Sequence, residues 1–188
     1  MKQIVSRVIN ELVECGIIKN EDVPICYFGL YEGIIFILEV ALTLAIAILM
    51  NNLVGGAIFF MTFLPIRRMA GGYHAETRER CLMISVLIIM IAMYGIKKLQ
   101  EFEALFLIGL FVVNSVAIMR IAPIESVNKK LSTNERSTYK LKLRKILMVE
   151  FVVSIVLGLL EQKIALAGVA MAGIVCLFLC ILGMENRQ

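Results

Sequence analysis

The chain has 188 residues, 60% of them hydrophobic and only 18% charged, a balance outside that of soluble domains and suited to a bilayer as solvent. The formal charge of +4 does not argue for nucleic acid, because the basic residues fall between apolar runs, where membrane orientation requires them. The five cysteines, at 15, 26, 81, 176 and 180, have neither the spacing of a disulfide framework nor a paired CxxC, so free thiols are expected.

Near the start, Ile4, Val5, Val8, Ile9, Leu12 and Val13 recur at helical spacing opposite Gln3, Arg7, Asn10, Glu11 and Glu14, which predicts an amphipathic helix. It would lie on the membrane surface or pack on the bundle, or else dock the helix of a peptide partner. The first long apolar run begins near Ile34, too late for the core of a secretory signal, so the N-terminus is expected to be retained. Further apolar runs follow at 53–66, 82–96, 104–122, 146–160 and 164–182. Only helices satisfy backbone polar groups in such segments inside lipid. The fold class expected is therefore all-α: a polytopic membrane protein of about six transmembrane helices with an N-terminal amphipathic helix. A single domain is expected over 1–188, with an interfacial region at 1–33, a polar loop at 67–81 and a basic loop at 123–145.

Charge sets the orientation. With a cytosolic N-terminus, the inner side receives three Lys and Arg before the first span, four in 67–81, eight from Arg120 to Lys145 and one at Arg187. The other side receives only Lys97, Lys98 and Lys163, a strong bias under the positive-inside rule. Both termini and the 67–81 loop should be cytosolic. The second and third runs, of 14 and 15 residues, would rise only about 21–23 Å against a core of roughly 30 Å. The favoured remedy is continuation of both helices into the intervening loop.

That loop, RRMAGGYHAETRERC from Arg67 to Cys81, holds the only histidine of the chain. Cys81 falls where the loop becomes the third apolar run, beside Arg78 and Arg80, a setting that activates a thiol as a nucleophile. His74 is the one side chain whose ordinary pKa lies near cytosolic pH, and Cys–His pairs recur as activated nucleophiles. Gly71 and Gly72 allow a tight turn before His74, close to which a substrate strand could pass. In one unbroken helix His74 and Cys81 would stand about 10.5 Å apart along the axis, so a working pair requires a bend or a non-helical stretch between them. Glu76 and Glu79 alone do not complete a ligand set, so no metal or other cofactor is expected.

Taken together, the loop resembles the accessory gene regulator B (AgrB) family, membrane cysteine endopeptidases that process autoinducing-peptide precursors in Gram-positive quorum sensing. The matching positions are Arg67, Gly72, His74, Cys81 and Ser85, with GGYHA as the core. APIESVNKKL, from Ala122 to Leu131, is similar to the family's Ala-Pro segment ending in Asn-Lys-Pro, with Lys130 in the usual proline position. The resemblance implies that Cys81 attacks the carbonyl before the precursor's C-terminal tail while His74 acts as base and then acid. A residue within the precursor then closes a thiolactone or lactone. Arg67, Gly72 and Ser85 would support or position substrate, with Ser85 equally able to bond its own i−4 carbonyl instead; by chemistry alone, backbone N–H groups opening the third helix, or Arg67 itself, are candidate oxyanion donors. Implied partners are an AgrD-like precursor peptide, the bilayer and a second copy in a homodimer, at the cell membrane.

Glu39 and Glu150 lie in apolar runs, where a carboxylate is by default a functional candidate. Either could bind substrate, or be structural through pairing or protonation. Asn114 reads as a hydrogen bond between helices. Lys129 and Lys130 belong to a basic stretch that fixes topology and meets anionic lipid, or captures an acidic precursor tail. Gly55, Gly56 and the small residues from Ala165 to Gly173 permit close helix contacts within one subunit or between two. The non-enzymatic alternative is a small peptide transporter or scaffold in which His74 and Glu39 serve transport or packing and the Cys81 thiol is dispensable.

Overall fold

The computed structural model describes residues 2–73, 78–124 and 132–185. Among the described residues there are seven α-helices and no strand: α1 Lys2–Glu14, α2 Val23–Leu49, α3 Leu53–Ala70, α4 Arg78–Leu99, α5 Ala104–Ile121, α6 Thr133–Leu159 and α7 Lys163–Glu185. The chain divides into two compact units, Met1–Leu42 and Thr43–Gln188.

In the first unit, α1 is the expected amphipathic helix, with Val5 and Ile9 buried while Ile4 is 66% exposed. The next helix is longer than its apolar pattern. Instead of starting near Ile34, α2 begins at Val23. Gly29, Glu32 and Gly33 interrupt the hydropathy there without ending the helix, and Pro24 sits in the first turn, where its missing N–H costs nothing.

In the second unit, α3 and α4 run for 18 and 22 residues, about 27 and 33 Å of rise, enough to approach the roughly 30 Å hydrocarbon core. Both helices extend into the polar loop, as expected, and α3 does so through Pro65. Helices α2, α3, α4, α5 and α7 are long and apolar enough to cross a membrane. The sixth expected span, 146–160, falls in α6, which is not among those five, and α6 also differs from the sequence reading at its start. Residues 133–145, expected as loop, are its first turns. Ser132 caps them: its hydroxyl accepts from the Glu135 N–H, and the Glu135 carboxylate accepts from the Ser132 N–H. This reciprocal box sets the helix start, and burial of Leu143 and Leu147 holds the charged half against the bundle.

The centre of this unit is α7, whose positions from Ala165 to Gly173 are all buried. Small side chains there let backbones approach closely. A Cβ on Gly168 would lie 2.8 Å from the Gly55 carbonyl oxygen on α3, and one on Gly173 would lie 3.3 Å from the Phe111 ring on α5. The small-residue stretch is thus used inside one subunit. Asn114 corrects another expectation: it donates to the Leu110 carbonyl of its own helix at 2.7 Å, satisfying its amide one turn back.

Candidate active site

The site is built where α3 stops. Its last turn carries Arg67 and Arg68, and the helix ends on Gly71, whose φ of +71° and N–H bond to the Arg67 carbonyl close it. Gly72 continues with φ +119°, so two successive residues occupy backbone that favours glycine. Helical continuity is broken just before His74.

Backbone groups from distant helices hold the chain on either side of this turn. The Tyr73 N–H donates to the Leu179 carbonyl on α7 at 2.9 Å, and the Ile124 N–H, just beyond α5, donates to the Ala70 carbonyl at 2.8 Å. Gly71 and Ile124 form an isolated parallel bridge. Beneath the turn sits Gly183 of α7, where a Cβ would stand 2.6 Å from both the Gly72 carbonyl carbon and the Tyr73 nitrogen. The close approach foreseen for a substrate strand at Gly71 and Gly72 is taken up by the protein's own chain. A Cβ on Gly72 would lie 2.7 Å from the Leu179 carbonyl oxygen.

Arg67 closes the arrangement. One guanidinium nitrogen, Nη1, donates to the Gly71 carbonyl, and the other, Nη2, donates to the Tyr73 carbonyl. The guanidinium fork therefore bridges the two ends of the turn, a use that needs its planar, two-pronged geometry. The same group lies within electrostatic range of three thiols, Cys176, Cys180 and Cys81. Two of these are packing residues of α7: Cys176 Sγ is 3.7 Å from the Phe63 carbonyl oxygen and Cys180 Sγ is 4.0 Å from that of Gly71, and both are buried. Cys81 is half-buried in the first turn of α4, as the sequence suggested, and Ser85 is half-buried one turn later.

A model of the accessory gene regulator B family matches residues 2–182. The chain belongs to that family. It is 25% identical over 143 residues to a protein named as AgrB-like from Clostridium perfringens (strain SM101 / Type A), covering 72% of this chain and 67% of that one. To a second AgrB-like protein, from C. perfringens (strain 13 / Type A), it is 26% identical over 143 residues with the same coverage. No solved structure matches the chain. AgrB membership, with the apolar helices, makes this a membrane protein of agr quorum-sensing peptide processing, for which an AgrD-like precursor is the general partner.

The other sequence candidates are spread out. His74, Lys129 and Lys130 lie outside the described residues. Glu39 is half-buried on α2, in the first unit. Glu150, half-buried on α6, accepts from the Thr62 hydroxyl of α3 at 3.0 Å, so its described partner is a neighbouring helix rather than Lys145. Sequence reasoning missed Leu179, Gly183 and Ile124. Leu179 and Ile124 act through backbone groups that no side-chain pattern announces. Gly183 was open to notice as a small residue near the end of α7, but only the fold shows what it faces.

Proposed function

We propose that this AgrB protein is a membrane cysteine endopeptidase and cyclase, with Cys81 as nucleophile and His74 as general base and then acid. The observation that carries the reading is the position of Arg67. It holds the carbonyls of Gly71 and Tyr73, the residues leading into His74, and lies within electrostatic range of Cys81. Arg67 thus braces the backbone that leads into His74, and Cys81 lies in the first turn of the helix that follows. In this reading Arg67 is a positioning residue, since its fork is engaged by the turn. The oxyanion donors are then backbone N–H groups opening α4.

The Cys81 sulfur attacks the carbonyl carbon preceding the precursor's C-terminal tail. The C–N bond breaks, the tail's new amine takes the proton held by His74, and a thioester remains on Cys81. A thiol or a hydroxyl within the bound precursor then attacks that thioester, its proton passing to His74, and the Cys81 thiolate leaves as a thiolactone or lactone closes. Exchange of one thioester for another is nearly balanced, so the acyl activation that hydrolysis would waste is retained. Holding both reacting groups on one bound peptide gives the ring-closing thiol the effective molarity it needs to outcompete water. Trading a peptide bond for a thioester is uphill, and removal of tail or product draws the reaction forward. By the positive-inside bias the reaction takes place at the cytosolic surface of the cell membrane, in a homodimer.

Intact mass spectrometry of the protein in lipid with its precursor tests this, comparing the unmodified protein with Cys81→Ala and His74→Ala. A Cys81-dependent adduct accompanied by tail release is expected. Tail release that persists in Cys81→Ala would remove the cysteine mechanism.

A further inference from the structure

Within the second unit, a cavity of about 190 Å³ lies between α5 and α6. Its walls are apolar side chains, among them Phe111, Met119, Leu147 and Phe151, with two polar interruptions, Arg144 and Ser115. Ser115 is only 7% exposed, and its Oγ has no hydrogen-bond partner among the described residues. Buried hydroxyls are almost always paired, because leaving one unmade is costly. Arg144 is exposed, and among the described residues it makes no ion pair.

The cavity continues a stripe of α6. Arg136, Lys140 and Arg144 recur at four-residue spacing along a second shallow depression that shares Arg144 with the cavity. From Arg144 the same face becomes apolar through Leu147 to Phe151, about 10.5 Å of helix. A cationic track thus passes into an apolar groove at a single arginine, with one hydroxyl waiting for an acceptor.

We propose that this groove is a binding site for one anionic glycerophospholipid. The phosphate sits on Arg144 with Lys140 and Arg136 behind it, an ester carbonyl accepts from the Ser115 hydroxyl, and an acyl chain lies along Leu147 and Phe151. The complementarity selects this occupant. A lipid supplies one anion, a few acceptors and otherwise hydrocarbon. An extended peptide would bring several backbone N–H groups, for which this groove offers a single hydroxyl acceptor, Ser115, a heavy cost inside lipid. A second copy's helix would meet the large side chains Met148 and Phe151, where close helix packing wants small ones.

The test uses the full-length protein in nanodiscs of equal phosphatidylglycerol and phosphatidylcholine, released into neutral detergent, with retained lipid counted by native mass spectrometry. One phosphatidylglycerol per chain is expected. Filling the groove with Met148→Trp or, independently, Val112→Trp should lower retention about tenfold, and Arg144→Gln should cut the preference for the anionic lipid by a similar factor, as for loss of one charge-assisted hydrogen bond. Lys97→Gln, at the far end of α4, should change neither. Equal retention of both lipids, unchanged retention in both tryptophan variants, or an equal effect of Lys97→Gln would each overturn the site. Conversion of a dimer to a monomer by the tryptophans would assign the groove to a second copy instead.

Discussion

The guanidinium of Arg67 donates to the carbonyl of Tyr73, the residue immediately before His74. Because the same side chain also holds Gly71, it spans the turn rather than merely neutralising it. Lysine keeps the charge but has no fork. Arg67→Lys should therefore lower precursor cleavage by about 30- to 100-fold, the equivalent of about 2–3 kcal/mol for one charge-assisted bond lost beneath a reacting group. Single-turnover tail release with saturating precursor measures it. An activity within twofold of the unmodified protein would remove Arg67 from the positioning role.

Gly183 and Gly109 make a matched pair of glycine tests. A Cβ on Gly183 would come 2.6 Å from Gly72 and Tyr73 backbone atoms, whereas one on Gly109 would meet nothing within 4 Å. Gly183→Ala should displace the turn, costing about 1–3 kcal/mol of stability through overpacking and a larger share of activity. Gly109→Ala should be neutral or stabilise by up to about 1 kcal/mol through helix propensity. Thermal melting in detergent, read beside tail release, separates the two effects.

Thr62 and Glu150 should behave as a unit across α3 and α6. A double-mutant cycle of Thr62→Val and Glu150→Leu is expected to show a coupling of about 1 kcal/mol, the net worth of one hydrogen bond. Glu150→Gln, which keeps an acceptor for the Thr62 hydroxyl, should melt close to the unmodified protein. If Glu150→Gln abolishes precursor binding while leaving the melt unchanged, the carboxylate serves substrate as well as packing.

The cysteines should divide by burial. Cys15 is exposed, Cys26 and Cys81 are half-buried, and Cys176 and Cys180 are buried. A water-soluble maleimide should label Cys15 in the folded protein and reach Cys176 and Cys180 only after denaturation. Cys176→Ala and Cys180→Ala should retain Cys81-dependent cleavage within about tenfold, with a stability loss of about 1 kcal/mol each for the removed sulfur.

Removing the reciprocal cap tests the corrected start of α6. Ser132→Ala should cost about 1 kcal/mol and increase hydrogen exchange over the first turns of α6, while α7 stays protected.

The sequence was most legible where one physical signal acted alone. The amphipathic repeat from Ile4 to Val13 became α1, and the shortness of the second and third apolar runs required the extensions of α3 and α4. Hydropathy misled where charge and helix coincide: residues 133–145 read as loop because they are polar, although Ser132 and Glu135 already spelled a capping box. In the candidate site, Arg67, Gly72 and Cys81 stood out by residue type. The partners that hold the turn did not, because the acceptor for Tyr73 is a main-chain oxygen of Leu179. Side-chain chemistry is written in the sequence; the meeting of two backbones is written only in the fold.

The turn before His74 leans on a helix made much later: Gly71 and Cys180 are 109 residues apart along the chain. During synthesis, α3 and α4 therefore enter the membrane while the acceptor for Tyr73 and the floor beneath Gly72 do not yet exist. The backbone leading to the imidazole settles only once α7 has threaded between its neighbours. A nascent chain thus carries Arg67 and Gly72 before α7 supplies the carbonyl and the floor that hold their turn, and completion of the last helix completes that scaffold.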